Sequence, residues 1–123
     1  MWQGIDRRRF PRANYPCRIV LLKKGTTEQF CTHTENIGAG GICVVLEKQL
    51  DKFCLVELVL YLQDGYPPVE CDARVVWSVK RQEEFDTGIE FLNIRDKDVL
   101  RLERIIQACL KSQEKSSRNK PTP

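Results

Sequence analysis

Short runs of apolar and β-branched residues, separated by polar turns, occupy most of this chain. Polar or turn-forming residues at Lys23–Thr26 and at Gln63–Pro68 each separate two such runs, an arrangement that predicts β-hairpins. The two predicted hairpins pair Cys17–Leu22 with Glu28–Thr34 and Leu55–Leu62 with Val69–Val79. Ile42–Leu46 and Thr87–Leu92 are two further short runs, which brings the predicted strands to six.

After Asn93 the apolar spacing changes from two residues to three and four, which is typical of an amphipathic helix. The apolar positions are Val99, Leu102, Ile105, Ile106, Cys109 and Leu110. We predict a helix from Asp96 to Lys111, capped by Asn93 or Asp96, with its apolar face against the sheet. Six closely spaced strands and one helix indicate a mostly β fold, either an antiparallel barrel or a sandwich, closed by the C-terminal helix.

A chain of 123 residues, 41% of them apolar, has room for one domain with a single core. We expect a flexible arginine-rich arm over residues 1–12, the folded domain over 13–111 and a disordered tail over 112–123. Met1–Ile5 is followed by charged residues rather than an apolar signal-peptide core, and no run is long enough to cross a membrane. The expected location is the cytoplasm, without membrane insertion.

The formal net charge of +3 is unevenly distributed along the chain. Asp6–Arg12 carries four arginines and one aspartate, and Lys111–Pro123 carries four cations and one glutamate, so each segment contributes +3. The remaining residues 13–110 therefore sum to −3. A neutral-to-acidic body with one arginine cluster suits a compact anion better than the long basic surface that duplex nucleic acid requires, which argues against nucleic acid as a partner.

The sequence offers no constellation for catalysis or metal binding. The six cysteines are expected to stay reduced in the cytoplasm as small apolar residues, and they include no pair spaced for a closed zinc site. His33 is the single histidine and is interpreted as an ordinary strand residue. We therefore expect neither an enzyme nor a bound metal or cofactor.

Two segments have side chains suited to binding a ligand. The arm contains Arg7, Arg8, Arg9 and Arg12, and its guanidinium groups can grip phosphate oxygens or the O6 and N7 acceptors of guanine in a bidentate manner. A solvated basic tail is the simpler interpretation, although Phe10 and Pro11 give the arm an apolar anchor and stiffness.

The second segment, Asn36–Gly41, lies between two predicted strands. It is either a tight turn that needs positive φ or a stretch of bare backbone to which a planar ligand can come close. Asn36 adds a carboxamide that can both donate to and accept from a base edge. Trp77 is either a core residue or a platform on which guanine could stack.

Taken together, Arg8-x-x-x-Arg12 and Asn36-x-Gly38-x-x-Gly41 resemble the paired motifs R-x-x-x-R and [D/N]-x-S-x-x-G of the PilZ domain family. The resemblance continues through Arg74–Trp77, Gly88–Phe91 and the terminal helix, over residues 6–110. It implies a six-stranded antiparallel PilZ-type β-barrel that binds the bacterial second messenger cyclic di-GMP.

Carried over to this chain, the resemblance implies that Arg8 and Arg12 grip guanine and phosphate, that Asn36 contacts a guanine edge and that Gly41 holds the turn. In the family, an arginine at the position of Arg7 tends to accompany a stacked pair of ligands, and Arg9 belongs to the same cluster. Gly38 stands where the family has serine, so one neutral hydrogen bond, about 0.5–1.5 kcal/mol, is missing.

The expected function is that of a cyclic di-GMP sensor or effector. Its arm would order when the ligand binds and would change contacts with a downstream protein that the sequence does not identify. Two alternatives remain at this point. One is a PilZ-like protein-interaction module that has lost the nucleotide, and the other is a small nucleic-acid-binding β-barrel.

Overall fold

The computed structural model describes the backbone of residues 12–118 and the side chains of residues 12–112. Within this range the chain forms seven strands followed by one helix. The strands are β1 Arg12–Ala13, β2 Arg18–Lys23, β3 Gln29–Gly38, β4 Gly41–Leu46, β5 Leu55–Tyr61, β6 Val69–Arg81 and β7 Glu84–Phe91. The helix, named α1 here, is Asp96–Arg118.

The sheet closes on itself as a barrel. Its antiparallel order is β3-β2-β5-β6-β7-β4, and β4 pairs with β3 to complete the circle, while β1 adds to β3 as an extra strand. The prediction of a mostly β, six-stranded antiparallel barrel with a C-terminal helix is confirmed. Both predicted hairpins are present as the pairs β2–β3 and β5–β6.

The alternation of apolar and polar residues explains which side of each strand is buried. Val56, Leu58 and Leu60 of β5 point into the barrel and are almost fully buried, whereas Leu55 and Glu57, at alternate positions of the strand, are exposed. α1 contributes Leu102 and Ile106 to the core, and burial of side chains of this size stabilises a fold by about 1.5–3 kcal/mol each. The core therefore lies inside the barrel and under α1, and residues on the outer face of most strands do not take part in it.

The segment of clustered glycines differs from its prediction. Asn36, Ile37 and Gly38 continue β3, so the turn to β4 consists only of Ala39 and Gly40. Among the described glycines, φ is positive at Gly25 and Gly65 alone, so the interpretation of a turn that needs positive φ at 38–41 is wrong.

The ends of three other elements also differ from prediction. Arg12, assigned to the arm, forms β1 with Ala13. β7 begins at Glu84 because a tight turn at Gln82 and Glu83 extends the β6–β7 hairpin. α1 begins at Asp96 as predicted but continues past Lys111 to Arg118, through residues that the sequence analysis assigned to the tail. No helix in the part of the chain that the structure describes is long and apolar enough to cross a membrane.

One ion-pair network fastens α1 to the β5–β6 connection. Arg101 donates through Nε and Nη2 to the carboxylate of Asp64 (3.1 and 2.9 Å) and through Nη1 to Asp98 (3.1 Å), which is 1% exposed. Burial raises the pKa of Asp64, but the hydrogen bonds from Arg101 and from the Tyr66 amide outweigh it, and the pKa ends below its usual value. The stabilisation by ionised Asp64 is therefore present at neutral pH and is lost as the pH falls through the folded-state pKa.

Replacement of Arg101 tests this network. Arg101→Ala leaves the nearly buried carboxylate of Asp98 without its main partner, so we expect the free energy of unfolding to fall by about 2–4 kcal/mol in urea titrations at pH 7. Arg104→Ala, one turn away on the exposed face of α1, is the matched control and should change it by less than about 0.5 kcal/mol. Equal effects of the two substitutions would contradict a role for Arg101 in docking the helix.

Candidate functional site

Four strands present one row of residues on the outer face of the barrel. The pairings Asn36↔Cys43, Cys43↔Gly88 and Gly88↔Trp77 run across β3, β4, β7 and β6. The neighbouring row, Ile37, Ile42, Ile89 and Val75, points inward and is buried. Since side chains alternate between the two faces, Asn36 and Trp77 lie on the same surface although they are far apart in sequence.

The two ends of the predicted motif pair are in direct contact. Arg12 lies opposite Gly38 in the β1–β3 pairing, and its Nε donates a hydrogen bond of 2.6 Å to Oδ1 of Asn36. Arg12, Asn36 and position 38 therefore share one face of the sheet. The bond orients the Arg12 guanidinium beside the bare backbone of Gly38, where the family's serine would place a hydroxyl.

A buried threonine holds β1 in this position. The Oγ1 of Thr34 donates to the carbonyl of Tyr15 (2.9 Å) and accepts from the amide of Cys17 (3.1 Å), while the Thr34 amide donates to the Cys17 carbonyl (2.9 Å). The Tyr15 hydroxyl donates to the carbonyl of Leu62 (2.5 Å). These bonds fix the segment between β1 and β2, so Arg12 enters the site from a rigid support.

Two glycines allow close packing at the site. A Cβ on Gly41 would overlap the carbonyl oxygen of Ile89 on β7, so the β4–β7 pairing requires glycine there. A Cβ on Gly88 would overlap the indole of Trp77, which lies directly over the Gly88 backbone. Gly41 thus acts through close strand approach rather than by holding a turn, and Gly88 makes room for the tryptophan.

A cleft of about 620 Å³ opens on this outer surface. Arg12, Asn36, Gly41 and Trp77 are among the residues that line it. Its volume is within the range of about 300–1,000 Å³ that is usual for small-molecule sites. The residues that line it and were not predicted as site residues are Glu35, Gly40, Ile42, Cys43, Val76, Arg81, Asp86, Gly88, Ile89, Glu90 and Phe91.

The described part of the cleft carries more carboxylates than guanidinium groups. Arg12 and Arg81 are its two cations, and Glu35, Asp86 and Glu90 are its three anions. Arg81 pairs with Asp86 at 3.1 Å, which neutralises both of these charges. The described part of the barrel wall therefore supplies no net positive charge for an anionic ligand.

Glu90 and Glu35 differ in the partners that hold them. Glu90 is ion-paired with Arg74, just outside the cleft. Glu35, in the β-bulge of β3, accepts a weak bond from the thiol of Cys43 (3.6 Å) and has an exposed carboxylate. Burial, followed by the negative charge of Glu35, raises the pKa of Cys43 to about 12, so this thiol stays protonated at neutral pH. Glu35 keeps free acceptor capacity that faces the cleft.

The structure therefore brings part of the predicted site together. Arg12, Asn36, Gly41 and Trp77 line one cleft and Gly38 lies beside it, whereas Arg7, Arg8 and Arg9 are outside the described residues. Two of the missed residues follow from strand alternation: Cys43 is two positions after Gly41, and Glu90 is two positions after Gly88. That signal becomes usable once one outward-facing residue on each strand is known. Residues 12–112 contain no group of three histidine, cysteine or acidic side chains that could hold a metal ion.

Comparison with known proteins relates this fold to one family. The family model described as PilZ domain matches residues 6–108. No curated protein matches the chain. Solved structures with the same fold include the Bacillus subtilis inhibitor of motility MotI/DgrA (23% identity, TM-score 0.73, 89% of this chain and 52% of that one).

Two further solved structures were obtained with a ligand. One is the PilZ domain of YcgR from Escherichia coli with c-di-GMP (16% identity, TM-score 0.70, 93% of this chain and 99% of that one). The other is the K. pneumonia MrkH–c-di-GMP complex (21% identity, TM-score 0.68, 93% of this chain and 56% of that one). At these identities the likeness establishes the shared fold. The chain spans about half the length of MotI and of MrkH.

The packing of Trp77 on Gly88 can be tested by fluorescence. In a Trp2→Phe background Trp77 is the only tryptophan, and Gly88→Ala should push its indole outward, shift its emission to longer wavelength and lower the free energy of unfolding by about 1–3 kcal/mol. Gly25→Ala is the control, because φ is +79° there and space for a Cβ is open. Gly25→Ala should lower the free energy of unfolding through backbone strain without changing the emission of Trp77. An unchanged emission for Gly88→Ala would refute the packing of Trp77 on Gly88.

Proposed function

Because this chain belongs to the PilZ domain family, whose model matches residues 6–108, we propose that it binds cyclic di-GMP in the cleft beside Arg12. In this proposal it is a cytoplasmic sensor or effector domain rather than an enzyme. The ligand orders the arginine-rich arm and thereby changes the contacts of the domain with a partner protein. Cyclic di-GMP is then a signal that binds and leaves, and no cofactor takes part.

The observation that carries this proposal is the hydrogen bond between Arg12 and Asn36 at the edge of the cleft. The two residues belong to two motifs 24 positions apart, and the bond places a guanidinium and a carboxamide side by side on an open surface. A guanidinium held in a fixed orientation loses less conformational entropy when it grips phosphate or the O6 and N7 of guanine. The contact is thus suited to a ligand that contains both groups.

Other residues of the cleft supply complementary chemistry for guanine. Guanine presents the N1–H and the exocyclic amine as donors, and the exposed carboxylate of Glu35 is an acceptor with capacity to spare. Trp77, half-buried over Gly88, offers an aromatic surface on which a base can stack. Adenine has no N1–H and carries its amine at C6 rather than C2, so it cannot present this adjacent pair of donors, and Glu35 favours guanine.

The phosphates require positive charge that the barrel wall does not supply. Cyclic di-GMP carries two phosphodiester charges, while the described wall of the cleft has three carboxylates and two arginines. We therefore assign the balance to Arg7, Arg8 and Arg9 of the arm. Like charges on neighbouring arginines repel one another until an anion offsets them, so the arm orders when the ligand arrives. The carboxylates also disfavour a long nucleic acid along this surface.

The proposal is tested by calorimetric titration with cyclic di-GMP at physiological salt. Arg8→Ala and Arg12→Ala should each reduce affinity at least tenfold, because each removes a charge-assisted contact of about 1.5–3 kcal/mol. Arg95→Ala, an exposed arginine at the start of α1, is the control and should bind like the parent. Cyclic di-AMP and a single-stranded oligonucleotide serve as competing ligands. If the parent does not bind cyclic di-GMP, or if the Arg8 and Arg12 variants both bind as well as the parent, the proposed function is wrong.

Gly38→Ser tests the missing hydroxyl of the family motif. Position 38 lies in β3 opposite Arg12, where serine can adopt the strand backbone, so we expect affinity for cyclic di-GMP to rise about two- to tenfold. Gly38→Ala adds the Cβ without the hydroxyl and separates the two effects. A gain with alanine equal to that with serine would show that the hydroxyl does not contact the ligand.

A further inference from the structure

Outside the cleft, the connection before β5 carries an exposed phenylalanine in an unfavourable conformation. Phe53 has φ of 69° within a turn in which the amide of Cys54 donates to the carbonyl of Asp51 (3.0 Å). Glycine or asparagine is the usual residue at such a position, because a bulky side chain is strained there. Phe53 is 58% exposed, so burial in the core does not compensate for the strain. An outlier of this kind on the surface suggests a binding role.

The residues around Phe53 define a small surface with an apolar centre and a positive rim. Leu55 is 47% exposed beside it. The Nζ of Lys52 lies 5.2 Å from the centre of the Phe53 ring, and the guanidinium carbon of Arg74 lies 5.6 Å from it. We call these four residues, Lys52, Phe53, Leu55 and Arg74, the Phe53 surface.

The Phe53 surface is connected to the cleft by one row of cross-strand neighbours. Leu55 pairs with Arg74, Arg74 with Glu90, and Glu90 with Gly41. The Arg74 guanidinium is ion-paired with Glu90, which lines the cleft. Arg74 therefore touches the aromatic ring on one side and a carboxylate of the cleft on the other.

We propose that the Phe53 surface binds an acidic segment with apolar side chains from a partner protein, and that cyclic di-GMP in the cleft tightens this contact. The second half of the inference rests on the proposed function. Cyclic di-GMP has two guanines, and Glu35 accepts from the donors of one of them. When the donors of the other guanine engage Glu90, its ion pair with Arg74 weakens and the guanidinium becomes available to a carboxylate of the partner. The Arg74 side chain is 41% exposed, so a carboxylate of the partner can reach its guanidinium.

The charges nearby favour a narrow acidic segment over other occupants. Glu57, Glu70 and Asp72 lie on the same outer face of β5 and β6, so a flat anionic membrane pressed against Phe53 would meet these carboxylates. A second copy of this surface would bring two cationic rims together. An acidic peptide segment instead places its carboxylates at Lys52 and Arg74 and its apolar side chains on the ring.

The test uses the full chain labelled with ¹⁵N and a short synthetic peptide of glutamates with interspersed leucine and phenylalanine. Amide shifts should map to Phe53, Leu55 and Arg74, and Phe53→Ser should weaken binding at least fivefold. Leu100→Ser, which removes an apolar side chain of similar exposure (53%) from α1, is the control and should bind like the parent. The same peptide with lysine in place of glutamate, and phosphatidylglycerol vesicles, are the competing probes.

The link to the cleft is read in the same titrations. Saturating cyclic di-GMP should raise the affinity for the acidic peptide at least threefold. Arg74→Gln should abolish that rise, while the variant still binds cyclic di-GMP in a separate titration. Shifts elsewhere, preference for the lysine peptide or the vesicles, or an affinity that the bound nucleotide leaves unchanged would overturn the inference while the proposed function stands. Absence of nucleotide binding in the separate titration would instead count against the proposed function.

Discussion

Strand β3 pairs with three other strands, and both the barrel and its cleft depend on that sharing. Its first half pairs with β2, its second half pairs with β4 to close the barrel, and β1 adds to its end. The bulge at Glu35 allows the change of neighbours, because it turns the strand while Thr34 still faces the interior. A slip of one residue would send Asn36 into the core and Ile37 to the surface, so burial of Ile37 fixes the register that exposes Asn36.

The cleft then forms from the residues that lie beside β3 on the outer face of the closed barrel. Trp77, Gly88 and Cys43 follow Asn36 along one row, and their positions are set by barrel closure rather than by local sequence. Electrostatically this wall is mixed, with Arg81 already paired to Asp86 and Glu90 already paired to Arg74. A wall whose charges are already paired can form hydrogen bonds with the polar edge of a base. Strong binding of two phosphates needs the arginines of the arm, which precede the barrel in the chain.

Much of this could be predicted from the sequence, and the failures have physical causes. The spacing of apolar residues located both hairpins and α1, because burial of one face determines that spacing in strands and in helices alike. The pattern failed at Asn36–Gly38, where the three glycines of Gly38–Gly41 favour a turn locally but pairing with β1 and β4 on either side extends the strand instead. Glu35, Asp86 and Glu90 were missed because their place in one cleft with Arg12 depends on which strands become neighbours. The arm residues Arg7, Arg8 and Arg9 remain predicted site residues.

The same geometry limits how binding in the cleft could influence the rest of the molecule. Val75 is bonded through its carbonyl to the amide of Phe53 (2.6 Å) and through its amide to the carbonyl of Cys54 (3.0 Å), and its side chain is fully buried. β6 is therefore fixed to its neighbours between the cleft and the Phe53 surface, and a closely packed barrel resists sliding of one strand past another. Side chains on the outer face have no such restraint. A signal that crosses the described part of this domain would thus travel by exchange of ion-pair partners, as at Arg74 and Glu90, while the barrel keeps its shape.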